Sequence, residues 1–444
     1  MVQIKKIAPL KPATLLFLLS LFFLKANAQN TNQYIMTTDI KNFWTAYDKI
    51  KETSDSTLHT GYINDLFIKQ GTDGLKLIMK ARGYTAKSYL DAIYHYPLFW
   101  HSVRANTLRA NEFADSIAIE IDKLARIYKK LKPTHIYFTI GALRTNGTTL
   151  DGNVLIGSEL ALADAHTVSA EFPKALSHLK TFFSSNPING TVFLNVHEYV
   201  HTQQKSSIGY NLLSQCIIEG AAEFVAVMAT GKPSATPAIP FGTQHSEKVR
   251  SVFARQMFFE DTGFWLYSNA DNEFNMRDLG YYVGYEICKK YYQNARDKNV
   301  AIEDMITLDY NHPQALYHFV DRSGYFEKPI SKFYREYEKN RPSVAGIKEF
   351  RNRSKKVDPN LSQITIKFSA KMDKRFRNFE LGPLGEANLL KIKAFKGFSD
   401  DGYSASFDVV LKPKNKYQLV IGSGFRNENG IPLKPYLIEF TTAD

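Results

Sequence analysis

Cysteine is scarce, with Cys216 and Cys288 the only two in 444 residues, and this excludes the disulfide-dense scaffolds of small secreted domains. In an oxidising compartment the pair could bond, or both could stay as buried thiols; the sequence leaves that open. Neither reads as a nucleophile, because nothing nearby in sequence supplies the histidine or cation that would lower a thiol pKa. After residue 28 no segment reads as a transmembrane helix, so none is expected there. Internal repeats and low-complexity tracts are absent as well, which excludes repeat architectures. With 44% hydrophobic and 23% charged residues, the chain has the composition of folded protein.

The first residues differ from the rest. Lys5, Lys6 and Lys11 precede an apolar run at 15–24, and Ala26-Asn27-Ala28 offers a small-x-small cleavage site. The run is shorter than the roughly 20 residues of a membrane span, and no cysteine follows it to carry a lipid. The expectation is a signal peptide at 1–28 and an exported chain, periplasmic or extracellular, beginning at Gln29. Loss of Lys5, Lys6, Lys11 and Lys25 would lower the formal charge from +12 to +8. That basic excess is diffuse. Its clusters at 129–132 and 351–356 read as solvated faces or linkers, and no nucleic-acid partner is expected. Attraction to acidic surface glycans is left open.

From Thr31 to about Asn340 the pattern is mostly helical, with long amphipathic runs such as 111–130. One strand-like stretch interrupts it at 134–162, where β-branched and aromatic residues are punctuated by Gly141, Asn146-Gly147 and Asp151-Gly152. This predicts two or three strands with tight turns. After 351–360 the chain turns to short alternating strands, such as "SQITIKFSAKM" and "KYQLVIGSGF", which predict a β-sandwich of about 85 residues. The expected fold is α+β, with a domain at 29–350 and an all-β domain at 357–444.

Chemistry concentrates in "TVFLNVHEYVHTQQ" at 191–204. Four residues apart on a helix, His197 and His201 share one face and can offer ring nitrogens to a single ion. Glu198 is rotated off that face, within reach of a water on the metal without ligating it. A catalytic zinc usually takes a third protein ligand. The helix-like stretch at 211–231 supplies one in Glu219, 18 residues after His201 and brought back by a short turn at "SSIGY". Glu223, one helical turn further, is placed to orient an imidazole from behind. Among His95, His101, His245, His312 and His318 no spacing suggests a second metal.

"HEYVH" and "IEGAAEF" together resemble the gluzincin metallopeptidases, the superfamily of thermolysin and the aminopeptidase-N-type enzymes. The resemblance implies a mostly helical thermolysin-like domain, Zn2+ held by His197, His201 and Glu219, and Glu198 as general base. The interval from His201 to Glu219 is slightly shorter than in those relatives. At "GYYVGYEICKKYY" (280–292) Tyr281, three residues before Gly284, matches the tyrosine that polarises the substrate carbonyl in the aminopeptidase-N-type family; Tyr282 and Tyr285 are its rivals. By the same analogy the upstream sheet carries an edge strand for extended substrate, expected at 151–160. The free-amine recognition segment of the exopeptidase relatives is absent from "GALRTN", so nothing points to an aminopeptidase. The region also looks like secreted bacterial zinc-dependent proteases, and the C-terminal part is similar to bacterial Ig-like domains.

The expectation is therefore a secreted zinc metallopeptidase acting on a peptide or protein substrate through a metal-activated water. The alternative is a non-catalytic cell-surface binding protein on a peptidase-like fold. The Ig-like domain would be a spacer or a docking surface for cell-surface polymer. The stretch at 231–248, rich in Pro and Gly, is expected to form an irregular rim around the substrate.

Overall fold

The computed structural model describes residues 34–206, 208–267 and 272–444; the signal peptide read at 1–28 lies outside the described residues. The architecture is α+β. Two compact units are present: one runs to Gln203 and includes Val225–Ser234, the other comprises Gln204–Phe224 and Ala235–Asp444.

The first unit holds helices at Thr38–Glu52, Asp73–Arg82, Ala86–His95, Pro97–Leu108 and Ala114–Ile127, followed by Thr191–Gln203. Their apolar faces bury an aromatic cluster of Phe43, Trp44, Phe67, Tyr89, Phe99 and Trp100. Within it the Trp44 indole N–H finds the Thr107 hydroxyl at 3.0 Å, so the ring is buried without an orphaned donor. A four-stranded sheet completes the unit, with β1 (Ile35–Met36), β2 (Ile136–Thr139), β3 (Gly147–Leu150) and β4 (Asn153–Gly157) in the order β1-β2-β4-β3. β1, β2 and β4 are parallel; β3 is antiparallel to β4. The β3–β4 hairpin turns on Asp151 and Gly152, both with positive φ (49° and 73°), as Asp-Gly hairpin turns require. The strand order corrects the expected edge strand: residues 153–157 lie inside the sheet, and Gly147–Leu150 forms one of its two edges, with Ile35–Met36 at the other. Gly147, expected at a turn, opens that strand.

The second unit begins with the helix Leu212–Thr230, which continues past Phe224 into the first. By length and composition this helix would pass for a membrane span, yet 89% of its apolar window is buried inside the protein. Around it come helices Ser246–Gln256, Leu279–Asn294, Lys298–Thr307, Pro313–Ser323 and Ile330–Asn340. The stretch at 231–248 is less irregular than expected, because Ala238–Gln244 is helical and Ser246 begins the next helix. Pro240 is no obstacle, since it sits in the first turn, where a backbone N–H has no intrahelical partner.

The unit ends in a β-sandwich. One sheet orders β5 (Val344–Ile347), β6 (Gln363–Phe368), β9 (Ser404–Val409) and β8 (Ile392–Phe398) as β5-β6-β9-β8; the other orders β7 (Phe379–Glu380), β10 (Lys416–Ile421) and β11 (Tyr436–Thr441) as β11-β10-β7. Alternate residues such as Ile364, Ile366 and Phe407 from one sheet, and Leu419, Ile421 and Phe440 from the other, share a single core. The sandwich starts at Val344, before the expected boundary of 350. Four residues with only Val344 buried carry no visible alternation, so β5 is silent in the sequence. The basic stretch that follows is pinned along β11 and its end: Arg353 N–H bonds Glu439 O at 2.6 Å, and Val357 N–H bonds Thr441 O at 3.0 Å.

Candidate metal centre

The helix Thr191–Gln203 is secured at its C-terminal end by side chains. The Tyr199 hydroxyl donates to Lys132 O at 3.0 Å, and the Gln203 amide both accepts from Lys132 N–H at 2.8 Å and donates to Lys132 O. Asn195 through His201 are all buried, so the two imidazoles stand in a water-poor setting. His197 Nε2 and His201 Nε2 face each other at 3.1 Å, with the rings nearly perpendicular. Nitrogens sharing one tetrahedral first-row ion at about 2.05 Å would be roughly 3.3 Å apart, close to what the helix already provides.

Glu219 arrives on Leu212–Thr230, whose start is set by a reciprocal cap. Asn211 Oδ1 accepts from Ser214 N–H at 2.9 Å, while Ser214 Oγ accepts from Asn211 N–H at 3.1 Å. The residue after the glutamate has its own physical reason. A Cβ on Gly220 would stand 2.0 Å from the Gly284 carbonyl carbon, and one on Gly284 would stand 1.8 Å from Cys216 O, so the two helices cross backbone to backbone. Cys216 and Cys288 are free and buried, and burial pushes both thiols up.

Ligand-capable atoms of His197, His201 and Glu219 lie within 4.8 Å of one another, and all three residues are buried. This group could hold a metal ion. Two neutral imidazoles and a carboxylate also make a donor set that suits borderline divalent metals. Glu198 is buried as well, and its carboxylate lies against the edge strand: a Cβ on Gly147 would come within 2.8 Å of Glu198 Oε1. A residue without a side chain leaves that carboxylate undisturbed.

Glu223 is buried, outside the three-residue group, with Oε1 accepting from Thr236 Oγ1 at 3.0 Å. Of the three tyrosines weighed, Tyr282 is in the core and Tyr285 packs edge-on against Phe224. Tyr281 presents its ring edge-on to Tyr267 at 6.5 Å. Tyr267 is what sequence reasoning missed: its hydroxyl donates to Glu219 Oε1 and also meets Gln215 Nε2 at 3.2 Å. Burial of the phenol and the neighbouring Glu219 charge push it well above the ordinary tyrosine range, although the residue as a whole is 57% exposed. It lies in an irregular segment without periodicity, so no sequence signal marks it. Gly147 was read only as a turn residue; its place beside the Glu198 carboxylate has no local signal in the sequence.

No family model and no curated protein matches the chain. Two solved structures, "surface layer protein SbsC, domains 1-6" and "the S-layer protein rSbsC(31-844)", are 13% and 12% identical over 64% and 81% of this chain. Both give a TM-score of 0.18, and the chain spans 44% and 45% of their lengths. A likeness that slight carries no argument about fold or activity.

Proposed function

We propose that the protein is an exported zinc-dependent peptidase of the gluzincin type, with a thermolysin-like catalytic domain and an Ig-like C-terminal domain. The observation that carries this reading is the buried convergence of His197, His201 and Glu219, with Glu198 beside the edge strand β3. When bound, zinc would polarise a water and the scissile carbonyl.

The chain's own residues then have separate tasks. An extended peptide would pair with the outer edge of β3 through backbone hydrogen bonds, which brings its carbonyl past Glu198. Glu198 would take a proton from the attacking water and pass it to the leaving amine. Tyr281 would donate to the oxygen that gains negative charge. Glu223 would orient the ligand set from behind, with Thr236 holding its carboxylate. Polymer contact through the sandwich belongs to the same proposal.

The test pairs metal analysis with hydrolysis. About one zinc per chain is expected in the wild type after reconstitution, with a large loss in Glu219→Ala. Glu198→Gln should keep the metal and lower cleavage of a mixed peptide panel by about 100-fold or more. A wild type that binds no zinc would overturn the reading. A zinc-loaded wild type inert on broad panels would favour the binding protein instead.

A further inference from the structure

We propose that Tyr267 is a positioning residue for Glu219, holding the carboxylate in the orientation that faces the two imidazoles. The inference rests on the metal reading above and concerns a residue outside the set expected from the sequence.

Three observations support it. First, the phenol donates directly to Glu219 Oε1 and is itself met by Gln215, one helical turn before Glu219. A carboxylate on a flexible side chain is thereby restricted to one arrangement before any ion arrives, which lowers the entropy lost on binding. Second, the backbone of Tyr267 is left-handed, with φ of 60°. A non-glycine residue adopts that conformation at some cost, and such cost persists where the surroundings over-determine it. Here Tyr267 N–H is held by Asp278 Oδ1 at 2.9 Å.

Third, the segment leading to Tyr267 is stitched down on two sides. Leu212 and Leu213, the first residues of the Glu219 helix, donate backbone N–H groups to Phe259 O and Met257 O, both at 2.8 Å. Further along, Asp261 is paired with Arg426 at 2.6 Å and Glu260 accepts from Ser423 at 2.6 Å, both partners lying in the sandwich. The loop is therefore registered to the helix whose carboxylate it touches. The sandwich, expected as a spacer, contributes to that registration.

The experiment measures cobalt affinity of the full chain by competition with a chromophoric chelator, together with the visible spectrum of the cobalt-loaded protein. Tyr267→Phe keeps the ring and its contact with Tyr281 but removes the donor. The expected result is an affinity about 10- to 100-fold weaker and a shifted cobalt band, at an unchanged melting temperature. Equal affinity and an identical spectrum would overturn the inference while leaving the metal reading intact. A wild type that binds no cobalt fails the metal reading itself. If hydrolysis falls while affinity and spectrum hold, the phenol serves the substrate and the positioning role is wrong. Should Tyr267→Phe not fold, Asp278→Ala decides: it frees the backbone of Tyr267 and keeps the phenol, so weaker binding supports the inference and unchanged binding overturns it.

Discussion

Glu159 and Glu219 are both buried, in two regions that satisfy the carboxylate in different ways. Around 140–159, Glu159 is fully buried and its oxygens accept backbone N–H groups from Gly141 at 2.8 Å and Leu143 at 3.2 Å. Along Leu212–Thr230, Glu219 receives a phenol from Tyr267 and stands beside two imidazoles. A carboxylate satisfied by amides of one loop is a structural fixture; here it holds a turn in which Leu143 has φ of 65°. A carboxylate brought next to two ring nitrogens completes a group that could hold a metal ion. The glycines differ in parallel. In the first region Gly147 makes way for a side chain, that of Glu198, whereas in the second Gly220 and Gly284 make way for backbone.

That contrast predicts its largest effect at Gly284. A methyl group there would meet Cys216 O at 1.8 Å, and neither helix can yield without losing its packing. Gly284→Ala should cost about 3 kcal/mol or more, seen as a fall in melting temperature and as weaker metal retention, because Glu219 precedes Gly220 on the displaced helix. A variant with wild-type stability would mean that the crossing is looser than described.

How much of this was legible in the sequence follows from the type of signal each residue leaves. His197 and His201 could be read because helical periodicity converts spacing into a shared face, Glu219 because a short turn leads into the next helix-like stretch, and the α+β class because strand alternation in 361–444 is local. "SEL" and "IIEGAAE" look alike as glutamates among apolar residues, and nothing local distinguishes a loop anchor from a ligand. Tyr267 could not be read, since its contact with Glu219 spans 48 residues through an irregular segment. The edge position of β3 was misassigned for a similar reason: strand order is decided by pairing partners, and the parallel β2–β4 register is invisible in either strand alone.

The second effect separates the two glutamates by pH. Burial, opposed by the Gly141 and Leu143 amides, lifts the Glu159 carboxyl to about 7 from an ordinary 4.5. Between those values the native state holds a proton that the unfolded chain releases, so this group's contribution to stability is fully present below 4.5 and is lost as pH rises through 7. The swing is about 3 kcal/mol. The neighbouring phenols of Tyr84 and Tyr89 are pushed up by burial and stay protonated throughout. Glu159→Gln should be destabilised at pH 5, where it gives up one acceptor, and should lose that deficit by pH 8. Denaturant titrations of both proteins at several pH values would reveal it; a constant gap would mean that Glu159 titrates as an ordinary carboxyl.

The smallest effect on stability should be found at Gly147, and it discriminates most finely between the regions. The atoms nearest an added methyl are all on the Glu198 side chain, Oε1 at 2.8 Å, Cγ at 3.1 Å and Cδ at 3.2 Å, and that side chain can swing aside. Because Gly147 has no positive φ, alanine fits its backbone, and folding should change by less than about 1 kcal/mol. The Glu198 carboxylate, the proposed proton acceptor, is however displaced. Misplacement of a catalytic group by about 1 Å is enough to lower turnover by roughly 100-fold, so Gly147→Ala should bind zinc as the wild type does, melt at nearly the same temperature, and hydrolyse peptide far more slowly. Loss of zinc together with activity would place the methyl's effect on the histidines; intact activity would show that Glu198 has room the edge strand does not reveal.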